Sequence, residues 1–448
     1  MNYSKIAQAV IEQAMAKGFE AEAYINVGFQ TQIQVDRGEV EKLSYAGSKG
    51  AGIRVLRDGQ MGYAYTSDFA PESIAKAAEE AMLLAGISDS DELRQLPEPE
   101  PIPDEDLALF DPEISSLPVE EKVAFAKTAE QAAMDADPRV FMTNRTTYMD
   151  ASAQVFLANS KGFVGSYEKS FVASFLMAMA MDGADRTTAF GLGVSSSLKE
   201  LNAEKIGTEA GERAAKLLGG KPVATQQATV VYSPLAAAGF LGAVSRALTA
   251  EAMQRNRSFL NGKMGQDVAS DVVSILDNGR LPGGMATRPF DDEGVPTRAT
   301  RLIDEGVLQA VLQDSYTARK EGGRSTGNAV RGSHRQLPGL AGSNFYIQPG
   351  IDSPEEIIGS VEDGFYVVNT MNSHSINPVS GNYSVSAQGF WIENGELTYP
   401  VNGVTIAIPL DQLLKNVTAV ANDLVFLPFM GAIGSPTLRV ENVMIGGG

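Results

Sequence analysis

The chain has 448 residues, of which 44% are hydrophobic and 20% charged, and its formal net charge is −19. That length suits two or three domains with sizeable apolar cores, and the acidic balance argues against a phosphate backbone or an anionic membrane surface as partner. The absence of cysteine excludes disulfides, thiol nucleophiles and cysteine metal ligands.

Apolar positions Ile6, Val10, Ile11 and Met15 predict an amphipathic helix from Tyr3 to Lys17, ended by Gly18. Its flanks lack the apolar core of a signal peptide. Strands are expected at Glu20 to Val27, Thr31 to Tyr45 and Gly52 to Thr66, with turns at Asp36-Arg37-Gly38 and Arg57-Asp58-Gly59. A second helix starts at Ala70-Pro71 and runs to about Ala85. Residues 89–118 are rich in proline and acid and read as an extended surface segment pinned by Leu107, Leu109 and Phe110. Val119 to Asp135 follows as a helix with Glu120 and Glu121 in its first turn. Strands are then expected at Val140 to Thr146, Ala153 to Ala158, Gly162 to Met181 and Thr187 to Ser195, and a helix at Ala203 to Leu217. The most apolar run, Phe171 to Met181, is too short to span a bilayer, so a cytoplasmic location is expected. Lys221 to Gln226 reads as a linker, which divides the chain into an N-terminal domain, 1–225, and a β-rich C-terminal domain, 226–448. Helices mixed with meanders predict an α+β fold of mostly antiparallel sheets with covering helices.

The C-terminal domain opens with a β-branched strand, Thr229 to Tyr232. Ser233 is a good N-cap, Pro234 suits the first helical position, and apolar and small residues extend the helix to Met253 (234–253). Strands are expected at Val272 to Leu276, Arg298 to Ile303 and Val307 to Gln313, with turns at Asp277-Asn278-Gly279, Asp304-Glu305-Gly306 and Asn394-Gly395. A short helix at Asp411 to Val417 and a last strand at Thr437 to Ile445 complete the chain.

The run Val230 to Asp271, and SFLNGKMGQ (Ser258 to Gln266) above all, resembles the TldD/PmbA family, also called modulators of DNA gyrase. Asp291-x-Glu293-Gly294-x-x-Thr297, Ser325-Thr326-Gly327-Asn328-Ala329 and His374 to Val401 are similar to the same family. The TldD branch carries His-Glu-x-x-x-His on the corresponding helix, the zinc site of a metallopeptidase. Alignment from SFLNGKMGQ puts Leu241 and Gly242 at the His-Glu pair and Arg246 at the second His. None of these binds zinc. The branch also uses a cysteine near its C-terminus, and Leu424 to Pro436 holds none. The resemblance therefore implies the non-catalytic PmbA/TldE-like subunit. On that resemblance the chain is expected to carry no metal of its own and to pair with a zinc-bearing TldD-like subunit, or with itself as a homodimer when isolated, in degrading or maturing unfolded peptides.

The remaining residues offer few other chemistries. The two histidines, His334 and His374, fall short of a zinc ligand set. Ser373, Ser375 and Ser380 near His374 lack a nucleophile elbow, and no phosphate-binding glycine motif is present. Asp291, Asp292 and Glu293 lack EF-hand spacing and read as a turn-capping cluster. Arg331, Ser333, His334 and Arg335 put three potential cations within five residues; Arg331, His334, His374 and Asn377 are the expected substrate contacts. Two other classes stay open at this point: a stand-alone hydrolase, and a regulatory binding protein of the gyrase-modulator type.

Overall fold

The structure, a computed structural model, describes residues 2–428 and 432–447, the side chain of His374 excepted. In the first half, helices α1 (Tyr3–Met15), α2 (Pro71–Ala85), α3 (Pro112–Ser116), α4 (Val119–Asp135) and α5 (Ala203–Lys216) accompany six strands. These are β1 (Glu20–Asp36), β2 (Glu39–Arg57), β3 (Gln60–Thr66), β4 (Val140–Asn159), β5 (Val164–Asp182) and β6 (Asp185–Ser195). They form one antiparallel sheet in the order β3-β2-β1-β4-β5-β6.

The strands are longer than their sequence suggests. Gly28, Gly47 and Gly50 fall between the expected strands, yet β1 and β2 pair without interruption through all three. The stretch between Thr146 and Ala153 is likewise strand, so β4 is one ribbon. Alternation along β1 sends Ala21, Ala23 and Ile25 into the core under α1 and α2. Glu22 and Tyr24 therefore point to the opposite face, and both are buried there too. Of the residues expected to pin the acidic segment, Leu107 is buried, whereas Phe110 is 42% exposed. β3 pairs β2 only from Ala51 onward, so from Glu39 to Gly50 the outer flank of β2 has no neighbour among the described residues. Phe29, Leu43 and Tyr45 are exposed there, and the rings of Phe29 and Tyr45 stack at 5.9 Å.

The second half begins with β7 (Gln226–Tyr232), α6 (Pro234–Ala247), α7 (Ala250–Gln254), β8 (Ile275–Asn278), β9 (Ala299–Asp304) and β10 (Val307–Leu308). It continues with α8 (Ser315–Lys320), β11 (Ala329–Val330), β12 (Gly339–Leu340), β13 (Asn344–Ile347), α9 (Pro354–Gly359), β14 (Asp363–Met371), β15 (Asn382–Glu393) and β16 (Glu396–Pro409). It closes with α10 (Leu410–Lys415), β17 (Val417–Val420), β18 (Val425–Leu427), β19 (Ala432–Ser435) and β20 (Leu438–Gly446). One six-stranded sheet runs β16-β15-β14-β7-β20-β17, with β16 also pairing β20; a second runs β10-β9-β8-β13-β19-β18. Among the named strands of the described residues, β14 with β7 and β13 with β19 are the parallel pairs. The expected α+β class with mostly antiparallel sheets is the one observed.

The helix expected over 234–253 is two helices. α6 stops at Ala247 because Thr249 is extended and caps α7, its hydroxyl oxygen accepting from Ala252 N–H. Eleven residues of α6 are buried, which explains its small-residue composition: a helix apolar all round must sit inside. The ring of Phe240 meets those of Tyr232 and Tyr383 edge-on at 5.7 and 6.0 Å. The strand expected over 307–313 shrinks to Val307–Leu308. The Asp277-Asn278 part of the expected turn is instead the end of β8.

Candidate functional site

α6 is where the aligned metal positions fall. Ser233 anchors its start, donating its hydroxyl to Val368 O at 2.9 Å and accepting from Ala236 N–H. Leu241 and Gly242 are buried, Leu241 within the main core. Arg246 is exposed and forms no ion pair among the described residues. A zinc ion needs lone-pair donors at these positions; a hydrocarbon, a glycine and a permanent cation do not fit it. Residues 429–431, in the region compared with the family's cysteine, lie outside the described residues. Among the described residues, no three His, Cys, Asp or Glu side chains gather as a ligand set.

The acid cluster and Arg331 come together elsewhere, on the face of β1 and β2 turned away from α1 and α2. The Arg54 guanidinium donates to Glu22 at 2.6 Å and to Glu293 at 2.9 Å. Arg331 pairs with the other oxygen of Glu22, and both side chains are essentially inaccessible. Arg331 also lies over the rings of Tyr24 and Tyr63. Asp292 accepts from the Arg331 backbone N–H at 2.6 Å and pairs with Arg288 at 3.2 Å. Asp291 accepts backbone N–H groups of Glu293, Val295 and Ala329. Buried charges need this degree of pairing, because desolvation otherwise outweighs attraction. Burial, reinforced by the neighbouring Glu293 carboxylate, pushes Asp291 up to about 7. Burial also acts to raise Glu293, but Arg54 beside it and hydrogen bonds from Arg54 and Ser315 hold it below its ordinary value.

Arg331 is thus no free cation. It ties the second half of the chain to the first sheet, and the loop after it lies on β2. That approach needs glycine: a Cβ on Gly50 would stand 2.2 Å from the His334 ring, and one on Gly52 would stand 2.6 Å from His334 O. Tyr63 donates its hydroxyl to His334 O at 2.7 Å. The His334 ring sits 3.3 Å from Ser67 Oγ and edge-on to Tyr65. Burial, then the nearby Arg335 charge, lowers its pKa below the ordinary histidine value.

His374 occupies the short helical turn Ser373–Ser375, its side chain outside the described residues. Asn377 is exposed and caps its own turn, accepting Val379 N–H at 2.8 Å. Arg331 and His334 therefore share one loop, while His374 and Asn377 share another. Glu22 and Arg54 had no place in the sequence-based site. A charge within each of the apolar runs EAEAYINV and GIRVLR was the available signal, since such charges are buried only when paired.

Three domain profiles of one family match the chain. The PmbA/TldA metallopeptidase domain 1 covers residues 21–85, the central domain 112–218 and the C-terminal domain 225–447. The chain is 28% identical over 417 residues to metalloprotease PmbA of Escherichia coli O157:H7, covering 92% of this chain and 90% of that protein. It is 29% identical to a metalloprotease PmbA homolog of Haemophilus influenzae, covering 94% and 92%. Among solved structures, a proposed modulator of DNA gyrase from Thermotoga maritima superposes with a TM-score of 0.92 at 28% identity, covering 99% of this chain and 100% of that one. TldE from Thermococcus kodakarensis superposes with a TM-score of 0.87 at 26% identity, covering 99% and 100%.

Proposed function

Because the chain belongs to the PmbA/TldD metallopeptidase family, we propose that it is the non-catalytic PmbA/TldE-type subunit of a two-chain cytoplasmic peptidase acting on unfolded peptides. The observation that carries this reading is α6: its aligned positions hold Leu241, Gly242 and Arg246, two of them buried, and none able to donate a lone pair to a metal. The zinc-activated water and the general base would come from a TldD-like partner. The likeness to PmbA proteins and to a solved TldE supports the same assignment.

In this reading the N-terminal domain, 1–225, and the C-terminal domain, 226–448, supply walls and partner surface. His334, His374 and Asn377 are proposed substrate contacts. Arg331 is a positioning residue, holding the His334 loop against β2 through Glu22. Among the described residues no helix is long and apolar enough to cross a membrane.

The test is metal analysis of the purified chain, read beside cleavage of an unstructured peptide, first alone and then mixed with a TldD-like chain. Neither stoichiometric metal nor cleavage is expected alone, and chelator-sensitive cleavage is expected on mixing. Cleavage by the isolated chain that survives chelation would overturn the assignment.

A further inference from the structure

Where the two halves meet there is a cavity of about 570 Å³, a size typical of small-molecule sites at domain junctions. β5, β6 and α5 wall one side; the start of α6 with β14, β15 and β18 walls the other. Its body is aromatic, with Phe175, Phe190, Tyr366 and Phe390 contributing rings.

Its polar lining combines two cations, Arg213 and Lys216, two acids, Glu209 and Glu212, the Asn369 amide and the start of α6. Asn369 lines the cavity and is only 9% exposed as a residue; its side-chain amide makes no hydrogen bond among the described residues and is not sealed from solvent. The first turn of the 14-residue α6 also lines the cavity. Pro234 has no N–H to offer, and the N–H of Leu235 has no partner among the described residues, at the positive end of the helix dipole. At the rim, Arg213 gives one guanidinium N–H to Phe190 O at 2.7 Å and pairs with no carboxylate among the described residues. The rim acids are engaged otherwise: Glu212 with Lys216 at 3.0 Å, and Glu209 with Lys205 at 3.8 Å.

We propose that this cavity binds a carboxylate bearing an aromatic or branched apolar tail. The Asn369 amide and the first turn of α6 receive the carboxylate, Arg213 supplies charge at the rim, and the rings enclose the tail. A free small acid and the C-terminal residue of a peptide share this chemistry.

Calorimetric titration of the purified full chain with three probes tests the proposal: 3-phenylpropionate, N-acetyl-Ala-Ala-Phe with a free C-terminus, and its C-terminal amide. Saturable binding of at least one acid is expected, with the amide at least about tenfold weaker, as loss of a charge-assisted hydrogen bond implies. Binding of 3-phenylpropionate alone identifies a free acid as the occupant; binding of the tripeptide acid identifies a chain terminus. Asn369→Asp, which sets like charge against the carboxylate, should weaken binding by roughly ten- to a hundredfold. Arg213→Gln, a change at the rim, should weaken it severalfold and decides the matter if the first variant does not fold. Failure of both acids to saturate, equal affinity for acid and amide, or unchanged affinity in the folded variants would overturn the proposal.

Discussion

Glu22 and Arg331, 309 positions apart in the chain, form an ion pair that water does not reach. Glu22 is shared with Arg54, so one carboxylate on β1 receives a guanidinium from its own sheet and another from the second half of the chain. Removing Arg331 leaves Glu22 and Glu293 to share Arg54 alone, so the buried cluster carries an excess negative charge. Arg331→Met is expected to cost about 3–5 kcal/mol, read as a lower urea midpoint. A loss below about 1 kcal/mol would mean that the pair is solvated, as exposed pairs are.

The acids of the same junction shift in opposite directions, which sets two pH windows. Asp291, raised to about 7, keeps its proton while the unfolded chain loses it near the ordinary value of about 4. Its contribution is full below that value and is lost as pH rises through about 7. Relative to Asp291→Asn, the wild type should therefore lose stability between about pH 4 and pH 7. Glu293 lies below its ordinary value, so its contribution is present above the unfolded value of about 4.3 and is lost as acid titrates it. Glu293→Gln should flatten the acid limb and, by removing a charge that helps raise Asp291, also soften the decline toward neutral pH. Urea midpoints across pH check both; an opposite slope for Asp291 would contradict its burial as a protonated acid.

The aligned metal positions can be challenged directly. The combined change Leu241→His, Gly242→Glu and Arg246→His restores the family's ligand types. It should still retain little zinc after dialysis, because a site also needs a further ligand and groups that orient the first ones. It should also destabilise the chain, since Leu241 is fully buried. Stoichiometric zinc by elemental analysis would reveal a ligand set not apparent from the chain.

Two histidines in the whole chain make His334 easy to follow by NMR. Its ring should titrate below the ordinary value of about 6.5. Gly50→Ala places a methyl 2.2 Å from that ring, which must swing away. The titration should then move back toward the ordinary value, and peptide binding to the proposed two-chain peptidase should weaken. An unchanged titration would show that the loop had shifted as a unit.

Local patterning made much of the architecture legible. Helices α1, α2, α4 and α5 begin and end close to their periodicity and caps, and the Asn394-Gly395 turn sits where its left-handed backbone is easy. Strand lengths are not legible because Gly47 and Gly50 look like punctuation, whereas Gly50, with Gly52 beside it, lets a loop almost three hundred residues away lie on β2. The break at Thr249 is not legible because its bridge to Leu312 is a tertiary contact, although its cap on α7 is a local bond from Ala252 N–H. Arg331 looked like a free cation for the same reason: its partner Glu22 lies near the other end of the chain. The cavity around Asn369 draws its walls from seven elements, and no spacing in one stretch announces such a gathering.

The flank of β2 that has no neighbour among the described residues bears on how the molecule behaves in company. Such a strand edge, carrying Leu43 and Tyr45 with the Phe29 ring beside it, is the kind of surface on which copies stack into aggregates. A net charge of −19 holds like molecules apart. That protection has a finite reach, about 10 Å at 0.1 M salt and about 3 Å at 1 M. Colloidal behaviour should therefore depend on ionic strength: dispersed in dilute buffer, and self-associating along β2 once salt has collapsed the repulsion.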